Sequence, residues 1–263
     1  GKALRIFETA NGRLLEERDS AGFSRFEDIL PDALLHIVPS QQKHTDVEIW
    51  SWCERKRVGL LENAGPNAIR SPDGRFYVAE RLNKEGIQVG KWGVWNLRTF
   101  VFEGEFQTEA VEVWPHAISP DGRWLAMSCL GKDGKYLEFR ELPTGKQVAT
   151  MPLEDRKSMQ FSPNGEFLLI GELAGPANIT MVKVPTLGVL WKLDREPHTV
   201  MLFSHDSRTT FVGLQEVPNV HAKEVRCIDC ATGMTRARIT PITEWAPPMV
   251  PPPIRAASFL VFW

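Results

Sequence analysis

No apolar run in this chain approaches the roughly 18 residues that a membrane-crossing helix requires. Charge of one sign is also missing. Thirty-one Lys and Arg against 33 Asp and Glu leave a net charge of −2, without the basic field that a general nucleic-acid binder needs to displace counterions. Four cysteines at uneven spacing do not form a disulfide framework in a chain of 263 residues. No Gly-x-Ser-x-Gly elbow, His-Glu-x-x-His pair or Gly-rich phosphate loop occurs. A sustained 3.6-residue apolar period is missing as well, so no major helix is expected.

What is present is a phrase that repeats. Ser119-Pro120-Asp121-Gly122 separates the apolar run ending at Ile118 from the run Trp124 to Met127. Pro presets φ, Asp bonds its own backbone and Gly accepts a positive φ, so the phrase is a turn between two strands. It recurs as Ser71-Pro72-Asp73-Gly74, as Ser162-Pro163-Asn164-Gly165 and, worn, as Ser204-His205-Asp206-Ser207. A period in the forties with strand-turn-strand content is the mark of a β-propeller.

Taken in order, residues 3–18 read as a hairpin about Asn11-Gly12. Units of four strands follow at about 20–62, 63–106, 107–152, 153–195 and 196–240. The first hides its turn as Pro31-Asp32-Ala33 between strands at 26–30 and 34–38. Prolines at 241, 247, 248 and 251–253 forbid a regular central strand in the tail 241–263, and strand character returns at 254–263. The fold expected is all-β: a single propeller domain over 1–263, of four-stranded antiparallel blades. Five blades are complete and one is split or partial, with 254–263 joining the hairpin at 3–18. The competing reading is an open piece of a seven- or eight-bladed ring, since the chain starts at Gly1 and stops at Phe262-Trp263.

The repeat resembles WD40-type propellers. Ser-Pro-Asp-Gly-Arg-x-Leu-Ala at 119–126, Val94-Trp95-Asn96-Leu97-Arg98-Thr99, Thr144-Gly145 and Thr232-Gly233 are similar to that family's second and third strands and their turns. The family's Gly-His before the first strand is absent. Its Trp-Asp pair is replaced by Trp95-Asn96, Phe139-Arg140 and Ile228-Asp229, so the resemblance is to a degenerate member. It implies a ring that presents loops to a partner.

Several constellations resemble chemistry. Cys227-Ile228-Asp229-Cys230 has the spacing of metal and redox sites, but no second Cys or His pair completes four ligands. Ser204-His205-Asp206 names a hydrolase triad, yet adjacent residues cannot assemble one. The six His do not fall at equivalent repeat positions, as a central metal would require. Asn178-Ile179-Thr180 matches a glycosylation acceptor at a strand start. Trp50, Trp52, Trp95, Trp124 and Trp191 are assigned to the core between blades, as are Leu125, Phe167 and Leu168. The Pro-rich stretch 247–253 reads as a linker or ring-closing lead-in, or as an extended docking ligand.

The function expected is a non-catalytic interaction or scaffold module, with no catalytic residue, cofactor or metal site. Its partner is a protein or peptide, not nucleic acid, and the chain does not insert in a membrane. Loops between second and third strands carry Lys43, His44, Arg81, Lys84, Glu85, Lys132, Asp133, Glu216 and His221, of mixed sign. The opposite face is built from short turns. The alternatives are a lactonase-like or quinone-dependent propeller enzyme, or a sensory or accessory domain of a larger hydrolase or kinase-fused protein. Oligomeric state and location stay open, with the cytoplasm favoured.

Overall fold

Alternating apolar runs of five to nine residues punctuated by Asx-Gly and Thr-Gly turns become strands in the computed structural model. It describes residues 3–7, 11–19, 35–39, 46–51, 56–153, 157–172, 178–193, 198–215 and 222–240. A hairpin of β1 (Ala3–Phe7) and β2 (Leu14–Asp19) comes first, then a three-stranded sheet of β3 (Leu35–Pro39), β4 (Val47–Ser51) and β5 (Lys56–Leu61). Four four-stranded antiparallel sheets follow. They are β6 (Ala64–Arg70) to β9 (Val101–Gln107) through β7 (Phe76–Leu82) and β8 (Gln88–Asn96), and β10 (Glu112–Ile118) to β13 (Lys146–Pro152) through β11 (Trp124–Gly131) and β12 (Gly134–Glu141). Next come β14 (Lys157–Phe161), β15 (Phe167–Glu172), β16 (Ile179–Lys183) and β17 (Gly188–Leu193), then β18 (His198–Phe203), β19 (Thr209–Gln215), β20 (Ala222–Asp229) and β21 (Thr235–Ile239). Among the described residues every element is a strand, and the chain is all-β. The expected strand at 26–30, its turn at 31–33 and the tail 241–263 lie outside the described residues.

The repeated turn has one wiring. Ser71, Ser119, Ser162 and Ser204 each donate Oγ–H to the Oδ1 of Asp73, Asp121, Asn164 and Asp206, at 2.5–2.7 Å. Each Ser Oγ also accepts the backbone N–H five residues on, at Phe76, Trp124, Phe167 and Thr209. The worn copy keeps this geometry with Ser207 where the others have Gly, at φ +61°. A left-handed serine is strained. Here its Oγ accepts the N–H of Asn164 from the neighbouring sheet's turn at 3.0 Å. The turns touch one another elsewhere too, since Arg75 Nη2 donates to the Asp121 carbonyl at 3.0 Å.

Consecutive sheets pack face to face over four apolar clusters, and the first strands β6, β10 and β14 lie beside one another. Sheets stacked in this way are compatible with a β-propeller. Leu125, Phe167 and Leu168 are buried as expected of inner strands covered on both faces, and so are Trp95 and Trp191. Trp124 is partly buried and packs against the cluster between β10–β13 and β14–β17. It opens β11 beside the turn, so one ring face stacks on Phe139 at 5.4 Å while the Arg123 guanidinium lies 4.7 Å from the ring. Phe139, fully buried, belongs to that same cluster.

Third and fourth strands share an irregularity. Val58, Glu103, Val148, Leu190 and Arg236 are each skipped by the pairing, a one-residue bulge at the same place in five sheets. In the last four of these sheets the residue three positions earlier is left-handed: Phe100, Gly145, Leu187 and Gly233. The hairpin β1–β2 has the same pattern, with Leu15 skipped and Gly12 left-handed at φ +70°.

Candidate functional site

The connections expected to be long variable loops are short where they are described. Lys84 and Glu85 stand on a turn whose Asn83 Oδ1 accepts the N–H of Glu85 at 3.0 Å and of Ile87 at 2.8 Å, and β8 resumes at Gln88. Lys132 and Asp133 form a two-residue turn closed by the Gly131–Gly134 pair. These four side chains are exposed. Arg81 is not a loop residue. It lies on β7, donates to the Glu62 carbonyl at 3.1 Å, stands 3.8 Å from Glu105 and covers the rings of Phe102 and Trp95. It therefore staples its sheet to the preceding β3–β5 sheet. Lys43, His44, Glu216 and His221 lie outside the described residues.

Between the two turns runs the connection from β9 to β10, and its residues border two depressions. Thr108, Ala110 and Val111 line a cleft of about 250 Å³ whose other walls include Asn67, Glu80, Gln88 and Trp92. Glu109 borders a wider depression of about 700 Å³ with Lys132, Asp133, Lys135 and Tyr136. In the cleft, Gln88 Nε2 donates to Glu80 Oε2 at 2.8 Å, and Asn67 also bonds the carboxyl. Burial raises the Glu80 carboxyl above its ordinary range, opposed by the Asn67 hydrogen bond. The sequence held a signal for this cleft. Phe76, Val78 and Glu80 share one face of β7, so Glu80 is a charge where the alternation calls for an apolar residue.

Deeper in the same interface, Glu138 and Arg140 of β12 form an ion pair, with side chains 1% and 7% exposed. The Cys129 thiol donates to Glu138 Oε2 at 3.4 Å. Burial, then Glu138, pushes that thiol up; burial, then Cys129, Glu138 and Glu109, pushes the Tyr136 hydroxyl up to about 12. On the other face of β11, His116 Nε2 lies 2.6 Å from Ser128 Oγ. That pair has the composition of a nucleophile and base. However, Ser128 is only 4% exposed, which shuts substrate away from its hydroxyl.

Cys227 on β20 and Cys230 in the turn just past it are free, buried thiols, and the Cys230 carbonyl accepts Trp191 Nε1–H at 2.9 Å. Burial, then Asp229 and Asp206, pushes the Cys230 thiol up to about 12 from 9.0. A thiol raised by folding holds its proton more tightly in the folded state. Its contribution is therefore complete below the unfolded value and is lost as pH rises from there through the folded value. Denaturation midpoints should hold steady below about pH 9 and fall above it, and the fall should be shallower in Cys230→Ala. Equal alkaline losses in the two proteins would remove this thiol from the account.

Among the described residues no group of three His, Cys, Asp or Glu side chains is placed to hold a metal ion, and no described helix is long and apolar enough to cross a membrane. No protein-family model and no curated protein matches the chain. The class is therefore described by architecture, as an all-β protein of repeated four-stranded antiparallel sheets.

Proposed function

We propose that the chain is a WD40-like β-propeller acting as a non-catalytic interaction module, with the second-to-third-strand face turned to a protein or peptide partner. The sheets of β3–β5, β6–β9, β10–β13, β14–β17 and β18–β21 belong to five blades, and β1–β2 forms the outer half of a sixth. The shared bulge and the left-handed Gly12 support that last assignment.

One observation carries the functional reading. At the end bearing the 83–86 turn, the cleft with the half-buried Glu80 is bordered by Val111, 76% exposed, and the nearby segment entering β8 exposes Ile87 and Val89 by 62 and 43%. Apolar side chains around a polar centre are a common arrangement at protein interfaces. The opposite face carries the repeated Ser-x-Asx turns, whose polar groups are spent on one another. Lys84, Glu85, Lys132 and Asp133, with Lys43, His44, Glu216 and His221, complete the partner face in this reading. Arg81 supports it from behind.

The test is affinity capture with the whole chain as bait, comparing Ile87→Ser/Val111→Ser and Lys84→Ala/Lys132→Ala with a turn-face control, Arg123→Ala/Glu166→Ala. A partner held by the wild type and the control should be lost from the first variant and weakened in the second. Because exposed charges contribute only about 0–1 kcal/mol each, the second effect is the smaller. Capture lost only in the control would place the partner on the turn face and end this reading.

A further inference from the structure

We infer that the cleft between the β6–β9 and β10–β13 sheets is a subsite for a basic side chain of an extended partner segment, with Glu80 as its counter-ion. The inference rests on the interaction-module reading and names the chemistry of its partner.

Glu80 pairs with Trp92 across β7 and β8, and Trp92 belongs to the apolar cluster facing β10–β13. Arg81 and Lys91 are the next residues along and therefore lie on the other face by the period of two. There Arg81 covers Trp95, and both approach Glu105, Lys91 as a close ion pair. Arg81 and Lys91 are among the residues that line the cleft, but their charged ends are turned to Glu105 rather than to Glu80. The opposing wall, residues 108–114, contributes Glu112 to the cleft and contains no Lys or Arg.

The carboxyl is also held in place. Gln88 and Asn67 both bond it, so its orientation is set before anything binds. Neutral amides satisfy some of its lone pairs and none of its charge. A half-buried carboxylate with that support still gains from an opposite charge, as its raised pKa, caused first by burial, indicates. Arginine suits the site better than a small cation. Its stem can lie along apolar surface while the guanidinium reaches the carboxylate. Val111 and Val113 on one wall and Trp92 on the other offer apolar surface to the stem and to the residues on either side. A cleft of about 250 Å³ accepts one such side chain rather than a folded domain.

The probe is acetyl-Leu-Arg-Leu-amide, compared with the same tripeptide carrying citrulline, which keeps the shape and loses the charge. Binding to the full chain is followed by NMR through the indole N–H signals of Trp92 and Trp114, assigned with Trp→Phe variants. The arginine peptide should bind about tenfold more tightly than the citrulline peptide at low salt. Glu80→Gln should reduce the arginine peptide to the citrulline level, while Glu166→Gln, on the turn face, should leave the preference unchanged. Equal affinities on the wild-type chain overturn the inference without need of any variant. So does an arginine preference that survives Glu80→Gln, or no shift of either indole at about 10 mM peptide. The two readings fail separately. Loop-face capture of a partner with no arginine preference removes the subsite alone. Turn-face capture with the preference intact removes the general reading alone.

Discussion

Arg140→Ala should destabilise the protein by about 3–5 kcal/mol, the loss expected when one partner of a buried ion pair is removed and the other stays behind. Arg140 Nη2 contacts Glu138 Oε1 as a close ion pair rather than an aligned hydrogen bond, and Arg140 Nε makes no hydrogen bond. The guanidinium also donates to the carbonyl of Gly145 and, at 2.8 Å, to that of Gln107 in the preceding sheet. Its central carbon lies 4.5 Å from the Phe106 ring centre. Truncation therefore strands a carboxylate, frees two carbonyls and uncovers a ring. The double change Glu138→Leu/Arg140→Met should cost less than the single one, because no charge is left unpaired. Urea denaturation of the three proteins measures both effects. A loss below about 1 kcal/mol in Arg140→Ala would show that water reaches Glu138 and that the pair is not buried in solution.

Gly145→Ala should cost about 2–5 kcal/mol, from two sources. At φ +67° a Cβ carries the left-handed penalty of about 1–2 kcal/mol. That Cβ would also stand 2.4 Å from Phe106 Cδ1, and overpacking of this kind typically costs about 1–3 kcal/mol. Gly145→Ala/Phe106→Ala should recover none of the backbone part and relieve only the steric part. Gly233 stands in the same relation to Trp191, with a Cβ position 2.6 Å from its Cγ. Between β3–β5 and β6–β9 the sizes are exchanged. Phe100 occupies the left-handed position, and its ring sits 2.5 Å from where Gly59 would carry a Cβ. Each turn wedges against the fourth strand of the sheet before it, and one partner of each of these three wedges is glycine. A loss below about 0.5 kcal/mol for Gly145→Ala would mean that the sheets separate freely there, and would remove the wedge as a fixed contact.

The sequence alone determined whatever depends on neighbours along the chain. Ser-Pro-Asp-Gly specifies its turn because Ser Oγ, Asx Oδ1 and the N–H five residues on lie within one hairpin, which is why even Ser204-His205-Asp206-Ser207 was legible. The repeat likewise marked Leu125, Phe167 and Leu168 as buried, since an inner strand of stacked sheets is covered on both faces. About a side chain's particular contacts the repeat was silent. Trp124 was legible as core, but the Arg123 guanidinium over its ring was not. Arg81 looked like a loop charge, yet its partners are Glu62, Phe102 and Glu105, the first from the connection out of the preceding sheet. The cleft at Glu80 is the clearest case. Its walls come from residues 67 to 114, on two sheets. Only the packing of those sheets brings a carboxylate, two amides and apolar walls together, because distances of that kind are set by tertiary contact and have no period in the chain.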